Sequence, residues 1–321
     1  MAGARDPEHV KAMLAMAMMD LLSTIQSALA SGEDMRDMLL RDSQFPVPMP
    51  PLCVAALAGD QELCRRLLIQ GHVDADACTT NGLRALAIAA KWGFTDVCAT
   101  LLTEGSANVN AADNYGLTAL YKAAEHGNLD VCRLLLKVDG VNIDKANVQE
   151  ISPLFIASMK GHLDVCRLLV ASGADVNKLD SEELTPLMRA ASRGDTAMCR
   201  MLVAEGKAEV AWEGQGETAL GMAAQEGYLG VCSVLVRSNK ADVNGIQTGT
   251  GYTPFLMAVR NGHLDVCHLL ITKGEADANI ADSEGQCPLL FAAHNGDHRM
   301  CRLLINEGKA DVNRQSTAKP L

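Results

Sequence analysis

Eight cysteines, Cys64, Cys98, Cys132, Cys166, Cys199, Cys232, Cys267 and Cys301, recur down the chain at separations of 34, 34, 34, 33, 33, 35 and 34 residues. Each lies twelve residues after an apolar residue, from Leu52 to Leu289, and five after a glycine, from Gly59 to Gly296. One register kept eight times means one supersecondary unit stacked in a row, because a unit this short cannot bury an apolar face alone. The leucine-to-cysteine offset never changes, so every insertion falls between a cysteine and the next unit. Those segments are turns, where an added residue costs little loop-closure free energy, whereas the helices must stay in registry with both neighbours.

Within each unit the residues predict two short helices. Paired alanines such as Ala89-Ala90 and Ala123-Ala124 allow two helices to approach closely, and the following glycine stops the first helix by adopting the left-handed conformation. The next run, Leu129 to Leu136, keeps apolar residues at i, i+3, i+4 and i+7 and turns Asp130 and Arg133 outward. This second helix is expected to end at Gly71, Gly105, Gly173, Gly206, Gly274 and Gly308, with Asp139 and Asn239 taking the left-handed position in the other two full units. Asp113-Asn114-Tyr115-Gly116 carries turn chemistry, and repeat four lacks a turn glycine at Val148 to Ser152. Aromatics make up only 3% of the chain, which suits close-packed short helices better than a sheet sandwich.

The units read T-A-L-Y-K-A-A-E-H-G-N-L-D-V-C-R-L-L-L from Thr118 and T-P-L-M-R-A-A-S-R-G-D-T-A-M-C-R-M-L-V from Thr185, and each runs into an A-D-V-N-like tail. This skeleton resembles the ankyrin repeat over residues 50 to 313. The resemblance implies an all-α ankyrin-repeat solenoid of stacked helix-turn-helix units with β-turn or hairpin connections. Residues 1–50 are read as an N-terminal helical extension or cap with a Pro-rich connector, 51–313 as eight repeats, and 314–321 as a partial turn. The histidine of the family's T-P-L-H is missing from every copy, replaced by Cys53, Ala87, Tyr121, Phe155, Met188, Gly221, Leu256 and Leu290. In the family that imidazole ties neighbouring turns together, so the departure puts turn rigidity in question.

The resemblance also implies a non-enzymatic scaffold that binds a protein or peptide through the concave face and turn tips. The alternatives are a substrate-adaptor or regulatory subunit of an enzyme complex, or a structural subunit of a large assembly. Carried over by position, the contact set is Lys91, Trp92, Tyr115, Tyr121, Lys122, His126, Lys160, Arg189, Arg193, Tyr252 and Arg260. Five cations across repeats two to five favour an acidic partner segment, and reversing Lys122 and Arg189 is expected to leave the melting temperature unchanged. An L-V-A-S-G-A-D-V-N run ending at Asn177 resembles the sites at which ankyrin repeats are hydroxylated on asparagine.

The net charge of −11 argues against a general nucleic-acid binder. No apolar run approaches the roughly 18 residues of a membrane span. No H-E-x-x-H, G-x-S-x-G or phosphate-loop motif occurs, and neither cofactor nor metal is expected. The ladder cysteines follow an apolar residue inside the buried stripe, where cysteine acts as a small hydrophobe. Eleven cysteines without paired spacing point to a reducing compartment, the cytoplasm, with the nucleus as the alternative. Cys78 and Cys287, in turns, are the thiols expected to be exposed. In the extension, a Met-rich apolar face from Val10 to Ala28 predicts a capping helix, Met35, Met38 and Leu39 a second one, and Phe45 to Pro51 an extended connector. Repeat eight keeps Met300, Cys301, Leu303, Leu304 and Ile305, so an incompletely capped end, open to self-association or a second partner, is expected there.

Overall fold

Threonine or serine, and proline, start most of the first helices, for separate reasons. Proline holds φ near the helical value and lacks an N–H that the first turn would leave unpaired. A hydroxyl at the N-cap accepts an N–H three residues on: Thr118 from Tyr121, Ser152 from Phe155, Thr185 from Met188, Thr218 from Gly221 and Thr253 from Leu256, at 3.1 to 3.2 Å. A computed structural model of the chain describes residues 22–27, 49–70, 73–214, 216–238 and 240–314. Between Pro51 and Asn306 these hold sixteen helices in eight pairs. Pairs 1 to 3 are Pro51–Ala58 with Gln61–Ile69, Ala85–Trp92 with Thr95–Thr103, and Ala119–Glu125 with Leu129–Leu135. Pairs 4 to 6 are Pro153–Lys160 with Leu163–Ala171, Pro186–Ser192 with Thr196–Ala204, and Ala219–Gln225 with Leu229–Arg237. Pairs 7 and 8 are Pro254–Arg260 with Leu264–Gly274, and Pro288–His294 with His298–Asn306.

Contacts group the residues into two compact units, Met1–Val148 with pairs 1 to 3 and Gln149–Leu321 with pairs 4 to 8. Inside each, first helices pack on first helices and second on second. The turns of pairs 2 and 3 close with single bridges, Cys78 opposite Arg84 and Ala112 opposite Thr118. The turn before pair 6 forms a two-residue hairpin, β1 (Glu213–Gly214) against β2 (Glu217–Thr218). Of the expected capping helix, residues 22–27 are helical, with Ile25 fully buried. The rest of it, the Met35 to Leu39 helix and most of the connector lie outside the described residues. Pro50, at φ −54° and ψ 141°, is extended as the connector requires.

Seven ladder cysteines, Cys64 to Cys267, are completely buried, whereas Cys301 is only partly covered. Burial pushes the thiols of Cys64, Cys98, Cys132, Cys199 and Cys232 from an ordinary 9.0 up to about 12, and that of Cys267 upward as well. Off the ladder, Cys78 is exposed as expected; Cys287 is 3% exposed, because it caps the first helix of pair 8 from inside the stack.

The first-helix glycines adopt the left-handed conformation, from Gly59 at φ 72° to Gly296 at φ 67°. Among the described residues the second-helix glycines do not, apart from Gly173; the stops expected at Gly71 and Asn239 lie outside the described residues. At the other second-helix ends the left-handed residue is the next one along, Ser106, Lys207, Glu275 or Lys309, and Gly140 takes the role expected of Asp139. The glycine is required by close approach instead. A Cβ on Gly206 would fall 2.8 Å from the Leu202 oxygen and 3.0 Å from Val176 Cγ1, and one on Gly105 would fall 3.1 Å from Ala75 Cβ.

The turns hold together without the T-P-L-H imidazole. Asp113, Asp180 and Asp282 each accept two backbone N–H groups of their own turn, at 2.8 to 3.0 Å. Backbone bonds then tie one tip to the next: Asn114 N–H to Asn81 O and Val148 N–H to Tyr115 O in the first unit, Ser181 N–H to Gln149 O and Ser283 N–H to Thr250 O in the second, at 3.0 to 3.2 Å. In repeat four, Glu150 supplies the left-handed residue at φ 61°, a conformation that costs a side-chain-bearing residue about 1 kcal/mol.

Two outcomes follow. Gly206→Ala should lower the stability measured by urea denaturation by about 1–3 kcal/mol through overpacking, while Glu150→Gly should raise it by about 0.5 kcal/mol. The thiols ionise near 9.0 when unfolded and near 12 when buried, so stability should be intact below pH 9 and fall between about 9 and 12. Each shifted thiol removes about 1.4 kcal/mol per pH unit in that window, which circular dichroism against pH will follow.

Candidate protein-binding surface

In the first unit two large aromatic side chains face outward, one at the end of a first helix and one at the tip of the next turn. Trp92 closes the helix Ala85–Trp92 and is 55% exposed, with the Lys91 ammonium 5.3 Å from its ring centre. Tyr115 is 61% exposed, held outward because Asp113 Oδ1 accepts both its N–H and that of Leu117 and Gly116 completes the turn at φ 80°. Lys122 Nζ lies 3.3 Å from Glu125, and exposed His126 lies 3.7 Å from the same carboxylate. Tyr121 leaves the contact set: it is 4% exposed, its hydroxyl accepts from Asn147 at 3.4 Å, and burial, then the Glu125 charge, pushes it to about 12. It fills the position of the missing histidine and packs as core.

In the second unit Lys160 and Arg193 are exposed first-helix cations. Arg189 is not free. Its guanidinium donates to Asp180 Oδ2 at 2.9 and 3.2 Å and to Glu182 at 2.5 Å, and the Asp180 side chain is only 3% exposed. Those bonds hold Arg189 above its ordinary range against the opposing effect of burial. Arg260 lies over the Tyr252 ring at 5.1 Å and donates to its hydroxyl at 2.8 Å. The two edge a groove of about 670 Å³ with Glu217, Glu226, Met257 and His263.

The tips of this unit are acidic: Glu150, Glu182, Glu183, Glu213 and Glu284 are all exposed. That line is spelled in the sequence, but one or two residues per turn give no long charge run, so only stacking reveals it. Asn177 Oδ1 accepts the Glu209 N–H at 2.9 Å, so its side chain joins two turns. Among the described residues no three His, Cys, Asp or Glu side chains converge as a metal site, and no helix is long and apolar enough to cross a membrane.

The family model for ankyrin repeats, in three copies, matches residues 52–147, 154–246 and 239–316. No curated protein matches the chain significantly. Among solved structures, the ankyrin repeat domain of Bcl-3, described as a unique member of the IkappaB protein family, superposes with a TM-score of 0.60 at 28% identity, covering 65% of this chain and 93% of that one.

The ion pair overturns the expectation that reversing Arg189 is harmless. Arg189→Glu leaves the buried Asp180 carboxylate without its cation and adds a like charge, so it should cost about 3 kcal/mol or more. Arg193→Glu, at an exposed position, should change thermal stability by less than about 0.5 kcal/mol. Calorimetry of the two variants checks both.

Proposed function

Since this chain belongs to the ankyrin repeat family, we propose that it is a non-enzymatic scaffold whose turn tips and first-helix ends bind a protein or peptide segment. Ankyrin repeats mediate protein–protein interaction. The observation that carries the reading here is that two large aromatic groups stand in solvent, Trp92 at a helix end beneath the Lys91 ammonium and Tyr115 at a turn tip. Aromatic side chains already held in place lose little conformational freedom on binding, and they are the usual energetic anchors of interfaces. Lys91 and Lys122, with His126 when protonated, favour an acidic segment beside the aromatics; in the second unit Lys160, Arg193 and Arg260 are the available cations, and Arg189 serves the fold. Enzyme-adaptor and structural-subunit roles use the same surface and are separated by what co-purifies. The burial of seven ladder cysteines, Cys64 to Cys267, supports residence in the reducing cytoplasm. At pair 8, Ile305 is 45% exposed and Val312 61%, which supports a second contact at that end, with another copy or another partner.

Affinity purification with mass spectrometry identifies the partner, and a titration with the purified pair then tests the surface. Trp92→Ala with Tyr115→Ala should weaken binding at least about tenfold without unfolding, since both side chains are exposed. Unchanged affinity in that variant removes the proposal.

A further inference from the structure

Three junctions between second helices of neighbouring pairs are clasped at one register. The residue after a ladder cysteine bonds a glutamate six residues after the next one: Arg65 to Glu104 at 2.9 Å, and Arg167 to Glu205 at 3.2 Å. At pairs 7 and 8 the same positions hold His268 and Glu307, 3.3 Å apart. An imidazole reaches less far than a guanidinium and carries charge only when protonated. Beside this clasp the seam keeps an open groove of about 960 Å³. Its apolar lining is Leu264, Leu269 and the buried Leu303 as a floor, with Leu229, 39% exposed, beside them. Its rim carries the exposed cations Lys273, Arg299 and Arg302, and the helix His298–Asn306 contains no acidic residue. The acidic groups lining it are Asp265 and Glu307, and Glu307 is engaged by His268.

We propose that this groove is a second docking site, independent of the turn tips, and that its occupant is an acidic amphipathic helix of a partner protein. The leucine floor matches the single apolar stripe of such a helix. Three cations around that floor, in a chain of net charge −11, attract carboxylates flanking the stripe and repel a basic helix of the same shape. A small molecule would be poorly enclosed by an open seam, whereas a helix brings its own backbone hydrogen bonds and needs only side-chain contact.

The test uses the full chain and a fluorescein-labelled helical peptide with leucine at i, i+3, i+4 and i+7 and glutamate elsewhere, followed by anisotropy. The peptide should bind saturably, and a version with lysine replacing glutamate should bind at least about tenfold more weakly. Arg299→Glu with Arg302→Glu should weaken the acidic peptide at least about tenfold, while Arg133→Glu with Lys137→Glu, exposed cations that belong to neither surface, should leave it unchanged. If the double reversal lowers the melting temperature, Arg299→Gln with Arg302→Gln serves in its place, with a smaller loss expected. Equal binding of the two peptides, no binding of the acidic one, or an affinity indifferent to Arg299 and Arg302 overturns the proposal. So does a dimer in sedimentation that the reversal abolishes, since the occupant would then be a second copy.

Discussion

Side-chain carboxylate or amide oxygens that bridge one turn to the next, at five junctions, set the spacing on which the other contacts rest. Asp76 accepts the Asn108 N–H, Asn110 Oδ1 that of Asn142, Asn177 that of Glu209, Asn244 that of Asp277 and Asn279 that of Asp311, at 2.7 to 3.2 Å. Asn110, Asn244 and Asn279 also donate their Nδ2 to a carbonyl of the following turn. A short amide or carboxylate can bridge two backbones only at one separation. That separation brings Gly206 against Val176 and Gly308 against Ala278, too close for a Cβ. The buried cysteines follow from the same distance, since a larger side chain at the ladder position would force the second helices apart.

The parts of this fold that repeat were legible in the sequence, because periodicity multiplies a weak local signal. The helix starts at Thr185-Pro186 and the left-handed stops at Gly59 to Gly296 stand as read. Reading failed where one letter serves two physical ends. Gly105 and Gly206 look like left-handed stops, yet Ser106 and Lys207 hold the positive φ and the glycines make room. Cys287 sits in a turn by sequence and in the core by stacking.

Side-chain contacts made only in the folded chain were the illegible layer, and they decide the surface. Tyr121 looks like an anchor beside Trp92, but a side chain at the third position of a first helix points into the stack. Arg189 looks like a solvent cation, although nine residues earlier Asp180 is buried and already holding two N–H groups. A carboxylate so placed needs a counter-charge, and the arginine supplies it. The charges left for a partner are therefore fewer than the sequence suggests, and those of the second unit's tips have the opposite sign.

None of the cross-pair side-chain bonds described above reaches beyond 39 residues along the chain. Loop closure is thus inexpensive wherever folding begins, and any two adjacent units can nucleate order that spreads to their neighbours. Such a chain has no obligatory first event, and it can fray from an end while the interior stays assembled. A protease or an unfolding machine would meet it as a series of separable steps, each opening one unit's surface before the next.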